Sequence, residues 1–148
     1  MNTSLIAESF ILNQSENGAT EHLVSIQRDP ERAALLPGTR GAVQLRYHSL
    51  QLIPVDLIDD VPQIWRALLD ALEAFLATGE ADVSYPTLEA RIMITGTTSL
   101  TKFTAGTVRH IVELDLLTDG ILSGATDYFN FAQADHAADL ARIAALRG

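Results

Sequence analysis

The chain has 148 residues, of which 47% are apolar and 20% charged, with no cysteine and a net charge of −9 from 19 acidic and 10 basic side chains. That length suits a single domain, residues 1–148, with room for a real core, and the missing thiols exclude disulfides, thiolate catalysis and cysteine metal sites. An acidic surface repels phosphate backbones and anionic membranes and favours a basic protein partner, though acidity also serves simply to keep a protein in solution.

The opening stretch, MNTSLIAESFILNQ, lacks the basic and long apolar regions of a secretory signal. No run approaches the roughly 18 apolar residues of a membrane span. The expectation is a soluble cytoplasmic protein, with no membrane and no nucleic acid among its partners. Residues 5–13 mix apolar and polar positions as a first strand does, and Asn17-Gly18 is a hairpin turn signal leading into residues 23–27. Pro30, Pro37, Gly38 and Gly41 mark a loop, with a helical turn around residues 31–35. Val43, Leu45 and Tyr47 then alternate with Gln44, Arg46 and His48. The phase slips near Ser49, which predicts a bulge or tight bend, and Pro54 ends the strand or puts it at an edge.

The clearest helix follows, LIDDVPQIWRALLDALEAFLATG. Val61, Ile64, Trp65, Leu68, Leu69, Leu72, Phe75 and Leu76 keep a helical stripe, and Gln63, Arg66, Asp70 and Glu73 take the other face. Asp59 and Asp60 stand where carboxylates cap a first turn, Pro62 falls inside that turn, and Gly79 suits a left-handed cap. Beyond it, Val83 begins a strand. Leu88, Ala90, Ile92 and Ile94 alternate with Glu89, Arg91, Met93 and Thr95. Residues 96–99 form a turn, and residues 100–104 and 107–114 form two more strands joined at Ala105-Gly106. Residues 116–131 read as a helix with Thr118 as its cap, although Gly120 and Gly124 weaken it. Residues 133–148 are an alanine-rich helix with Arg142 and Arg147 toward its C-terminal end. The order predicts an α+β fold: an antiparallel β-sheet meander, a long central helix, and two C-terminal helices packed on one face.

The succession YHSLQLIPVDLIDDVPQIWRALLDALEAFLATGEADVSYPTLEARIMI, with its Tyr85-Pro86 dipeptide, and the later VELDLLTDGILSGATDYFNFA resemble a group of small, mostly uncharacterised bacterial α+β proteins. The likeness is one of rhythm over roughly two thirds of the chain. It implies an immunity-like protein of a polymorphic toxin system, one that binds a toxin and does no chemistry. It supplies no catalytic residue.

The residues themselves offer little chemistry. His22, His48, His110 and His136 form no H-x-x-x-H or H-E-x-x-H pair, so no metal and no other cofactor is expected. Asp135, His136 and Asp139 are the best local cluster, and a solvated first turn explains them as well as an acid–base site does. Ser123 directly precedes Gly124 and so does not make a nucleophile elbow. The Gly120/Gly124 spacing suits close helix packing. No phosphate loop occurs, and Lys102 alone is no phosphate cradle. Asp56, Asp59 and Asp60 stand just before a helix, which capping explains most simply; the functional reading left to them is to receive Lys or Arg from a basic partner. Tyr128, Phe129 and Phe131 are too closely spaced to share one helix face, which leaves at least one to cover an edge or an interface. The main expectation is therefore a non-catalytic, acidic, protein-binding domain that occludes a basic toxin domain. The alternative is an enzyme or small-ligand binder built from His48, His110, Glu113 and Asp115. A self-associating homo-oligomer subunit is the third reading.

Overall fold

A computed structural model of the chain describes residues 5–14, 21–54, 56–97, 100–132 and 136–148. The fold is α+β, with antiparallel strands in two sheets and four helices. The first sheet is built on β1 (Leu5–Gln14), which pairs on one side with β2 (Glu21–Ser25) and on the other with β3 (Arg40–Tyr47). Between β2 and β3 lies the short helix α1 (Pro30–Ala34). The phase slip seen in the sequence is a tight bend. His48 takes φ 56°, and β3 turns directly into β4 (Leu50–Gln51) through the pair Tyr47↔Leu50. Leu52 and Ile53, side by side in sequence, are both buried, so the chain has left the alternating pattern of the sheet by then. A two-residue strand, β5 (Asp59–Asp60), pairs back onto Arg40 and Gly41 of β3 before the long helix. The turn expected at Asn17-Gly18 lies outside the described residues.

The long helix is α2 (Val61–Thr78). Pro62 sits in its first turn, where no N–H is needed. Gly79, at φ 84°, closes it by donating its N–H to Phe75 O at 2.8 Å. The apolar stripe is buried from Val61 to Phe75. Leu76 is a correction: it is 49% exposed, because the last turn overshoots the surface it packs on. The second sheet is a meander of β6 (Ala81–Ser84), β7 (Arg91–Gly96), β8 (Thr101–Ala105) and β9 (Val108–Val112), in that order. The meander expected beyond the long helix is therefore present as one sheet, and the strands before that helix form a sheet of their own. Strand alternation records which face is buried and says nothing of which strand lies alongside. Thr98 and Ser99 of the expected turn lie outside the described residues.

Helix α2 lies between the sheets, against β1, β3 and β5 of the first and β6 and β7 of the second. Helix α3 (Leu114–Phe131) packs beside it on β1, and α4 (Ala137–Arg147) rests on α3 and α2. Helix α3 starts four residues ahead of the expected Thr118, with Glu113 at its N-cap position. No helix among the described residues is long and apolar enough to cross a membrane. One buried cluster runs from Leu5 of β1 through α2 to Phe103 of β8 and Ile143 of α4.

Trp65 is the joint between three elements. It is fully buried, and its indole N–H donates to Ser9 Oγ of β1 at 2.8 Å. Its ring lies where a side chain on Gly124 of α3 would go. The paired glycines thus serve close packing, as their spacing suggested, though against more than helices: Gly120 faces Leu5 of β1, and Gly124 faces Trp65 and Ala7. A Cβ at Gly124 would sit 2.6 Å from Ala7 Cβ, an atom fixed to the backbone of β1. Alanine gains about 1 kcal/mol of helix propensity over glycine, but overpacking against a fixed atom and a buried ring costs more. Gly124→Ala is expected to destabilise the protein by about 2 kcal/mol, read as a lower urea midpoint; an unchanged midpoint would mean that Trp65 has room to move aside.

Candidate interaction site

The acidic turn and the aromatic cluster, far apart in sequence, meet at one place. Asp60 ends β5 in an extended conformation and leads into α2. Its side chain does not cap the helix: it accepts a hydrogen bond from Thr39 Oγ1. The helix N–H at Val61 is met instead by Thr39 O at 2.9 Å. Thr39 in turn lines a surface hollow of about 170 Å³ with Ile11, Leu36, Gly38, Tyr128 and Phe131 among its walls. A second hollow of about 310 Å³, lined by Leu12, Asn13, Pro37 and Arg40, shares Gly38 and Thr39. The two flank the 37–40 loop, and together they make a groove between β1, that loop and the C-terminal end of α3.

The three aromatics divide by depth. Tyr128 and Phe129 are each 2% exposed and pack inside, with Tyr128 also part of the hollow's wall. Helix α3 has neighbours on two sides, which gives it a wider buried arc than a surface helix. Phe131 is half-buried and open to the groove. The rings form one stack, Tyr128 edge-on to Phe129 at 5.5 Å and tilted to Phe131 at 6.3 Å. Burial, with Asp60 nearby adding to it, pushes the Tyr128 hydroxyl up to about 12, so it stays protonated as a hydrogen-bonding group.

Behind the aromatics lies a clamp that the sequence did not suggest. Arg66, placed by its periodicity on the polar face, makes a two-pronged bond to Asp139 of α4, Nε and Nη2 each 3.0 Å from a carboxylate oxygen. Its guanidinium also lies 5.7 Å from the centre of the Phe129 ring. The hydrogen bond to Asp139 holds the Arg66 pKa above its ordinary value, and the same bond holds the Asp139 carboxyl below its own. His136 Nδ1 reaches Asp139 at 3.3 Å, and its ring lies 5.0 Å from Phe129. The local acid–histidine cluster is therefore turned inward onto an arginine. Its third member, Asp135, lies outside the described residues.

Asp59 is the second correction. It is fully buried and so cannot receive a partner's cation. Its Oδ2 accepts from the N–H groups of Thr87 at 2.8 Å and Leu88 at 3.1 Å. Its Oδ1 accepts from Thr87 Oγ1 at 2.9 Å and Asp60 N at 2.7 Å. Burial alone would raise its pKa; the bonds from Thr87, Asp60 and Leu88 outweigh it and hold the carboxyl below its usual range. Asp56 stands exposed ahead of β5. Next to Asp59 the hydroxyl of Tyr85 is buried without a hydrogen-bond partner among the described residues, and burial together with the Asp59 charge pushes its pKa up.

The dispersed set of the alternative reading does not converge. His48 is exposed on the β3–β4 turn, stacked on Tyr47. His110 belongs to β9, and Glu113 and Asp115 are exposed at the start of α3. No hydrogen bond or ion pair joins these four, and neither hollow of the groove is lined by any of them. Among the described residues no group of three His, Asp or Glu side chains is placed to hold a metal ion.

Comparison of the chain with protein-family models, with curated proteins and with solved structures returns no match.

Two outcomes follow from the buried polar groups. Asn at position 59 would turn donors toward donors, so Asp59→Asn is expected to cost about 3 kcal/mol at neutral pH. A lowered folded-state pKa gives stability that is complete above the unfolded value of about 3.9 and is lost as pH falls through the folded value. The gap between wild type and Asp59→Asn in urea titrations should therefore be full at pH 7 and shrink below about pH 4; a gap independent of pH would contradict the assignment. Tyr85→Phe removes an orphaned hydroxyl and is expected to be neutral or stabilising by about 1 kcal/mol; a clear loss in thermal midpoint would mean that the hydroxyl has a partner.

Proposed function

We propose that the chain is a non-catalytic protein-binding domain, and in its sharper form an immunity-like protein that neutralises a basic toxin domain by covering its working surface. The observation that carries this reading is that Phe131 lines a groove whose Thr39 wall is hydrogen-bonded to Asp60, in a chain of net charge −9. The overall charge steers a basic partner inward and raises the encounter rate. Asp60 offers a carboxylate beside apolar walls, where a Lys or Arg stem lies along Phe131 and Leu36 while its charged end meets the acid. Leu35, 84% exposed next to this groove, adds apolar area at its rim. Arg32 and Arg40 also stand exposed nearby, so selection rests on Asp60 and the whole-chain charge rather than on every wall. The Arg66–Asp139 clamp holds the aromatic wall rigid, which lowers the entropy lost on docking.

The test is affinity capture with the tagged chain from a lysate of its source, at low and at high salt. A basic protein retained at low salt is the expected result. Phe131→Ala and Asp60→Lys, each confirmed folded by circular dichroism, should reduce its retention about tenfold. A partner held equally by both variants, or no partner at all, would remove the groove from consideration.

A further inference from the structure

The second sheet ends on a strand with one side open. Among the described residues strand β9 is the last of its sheet and is bonded to β8 alone. The β8–β9 hairpin turns through two residues, Gly106 and Thr107, with Ala105↔Val108 as its first pair. In a two-residue hairpin that first pair is hydrogen-bonded and the pairing then alternates. Gly106 N–H, bonded to Arg91 O at 3.0 Å on the far side of β8, agrees with this phase. Arg109 and Ile111 therefore turn their N–H and C=O groups away from β8, toward the open edge. Their side chains also share the sheet's outer face, where Ile111 is 57% exposed.

That face is cationic in an acidic protein. Lys102, opposite Ile111 on β8, stands diagonal to Arg109, and both are exposed. Arg28, Arg66, Arg91, Arg142 and Arg147 all find carboxylates, with 19 acids to choose from. Lys102 and Arg109, like Arg32, Arg40 and Arg46, have none among the described residues. A charged side chain on an edge strand is a usual guard against pairing with another copy. Two β9 edges brought together would set Arg109 and Lys102 of each copy near their equivalents, a repulsive arrangement. The same two cations favour a strand of opposite charge.

We infer that the β9 edge accepts an extended segment of an acidic partner, which adds to the second sheet as a fifth strand. Its backbone bonds to Arg109 and Ile111, a carboxylate stands opposite Arg109, and an apolar side chain covers Ile111. This surface is separate from the groove at Asp60 and Phe131, and it selects for the opposite charge.

The test uses a labelled synthetic strand of about nine residues in which Glu and Ile alternate with Thr, and a twin with Lys in place of Glu. Fluorescence anisotropy should show the Glu peptide binding more tightly. Amide hydrogen exchange by NMR should show new protection at Arg109 and Ile111. Arg109→Glu should reverse the preference between the peptides, each shifting by up to about fivefold, the size of one cross-strand ion pair. This charge change leaves the backbone edge intact, so the reversal tests the site even where a proline at Ile111 would unfold it. Equal binding of both peptides, no binding of either, or protection elsewhere overturns the inference. So does a dimer of the chain alone that protects Arg109 and Ile111, since the edge then belongs to a second copy.

Discussion

The indole of Trp65 holds the molecule together. It comes from α2, bonds to Ser9 on β1, and lies against Gly124 on α3, so three elements from distant parts of the chain depend on one ring. A buried indole needs a partner for its N–H, and Ser9, itself fully buried, supplies one without bringing a charge inside. The absence of a side chain at Gly124 lets α3 come close enough to share the contact. Once α3 is seated in this way, its C-terminal end stands beside the 37–40 loop, and the groove there follows from that placement.

Asp59 does a comparable task for the second sheet. Three of its four hydrogen bonds tie β5, which belongs to the first sheet, to the 86–88 loop that feeds β7. A carboxylate is suited to the place because it accepts on both oxygens and presents no donor that would clash with the N–H groups around it. The two sheets are thus joined by an apolar helix between them and by one buried acid at its entrance. Tyr85, beside that acid, is left with an orphaned hydroxyl, the one polar side-chain atom so placed among the described residues.

What could be read from the sequence was local. The stripe of α2, the cap at Gly79, the bend at Ser49 and the close packing at Gly120 and Gly124 all come from spacing within one segment. The α+β class followed from the order of those segments. What could not be read was pairing over distance. Nothing near Asp59 announces Thr87, so a capping position was the natural expectation for a residue that is in fact an anchor. Arg66 sits on the polar face by periodicity, and only the arrival of α4 makes it a clamp. Tyr128, Phe129 and Phe131 were too closely spaced to share one helix face, and spacing alone could not say that Phe131 would be the one left half-buried. The division of the strands into two sheets is invisible to alternation for the same reason. Of the residues singled out for contact, Phe131 and Tyr128 line the groove, Asp60 is bonded to its Thr39 wall, Asp56 stands exposed, and Asp59 and Phe129 are inside.

The manner in which α4 is attached has a consequence for any binding experiment. Among its described residues Ile143 alone is buried, while Asp139, Arg142 and Arg147 are tied to Arg66, to Asp70 and Glu73, and to Asp119. The helix is held by these ion pairs as well as by the apolar contacts of Leu140, Ile143 and Leu146, and mobile ions compete with the former. Raising the ionic strength therefore acts on the protein as well as on its partner. It loosens the outer helix and, through Arg66, slackens the aromatic wall of the groove. A binding curve that falls with salt therefore sums an intermolecular and an intramolecular effect.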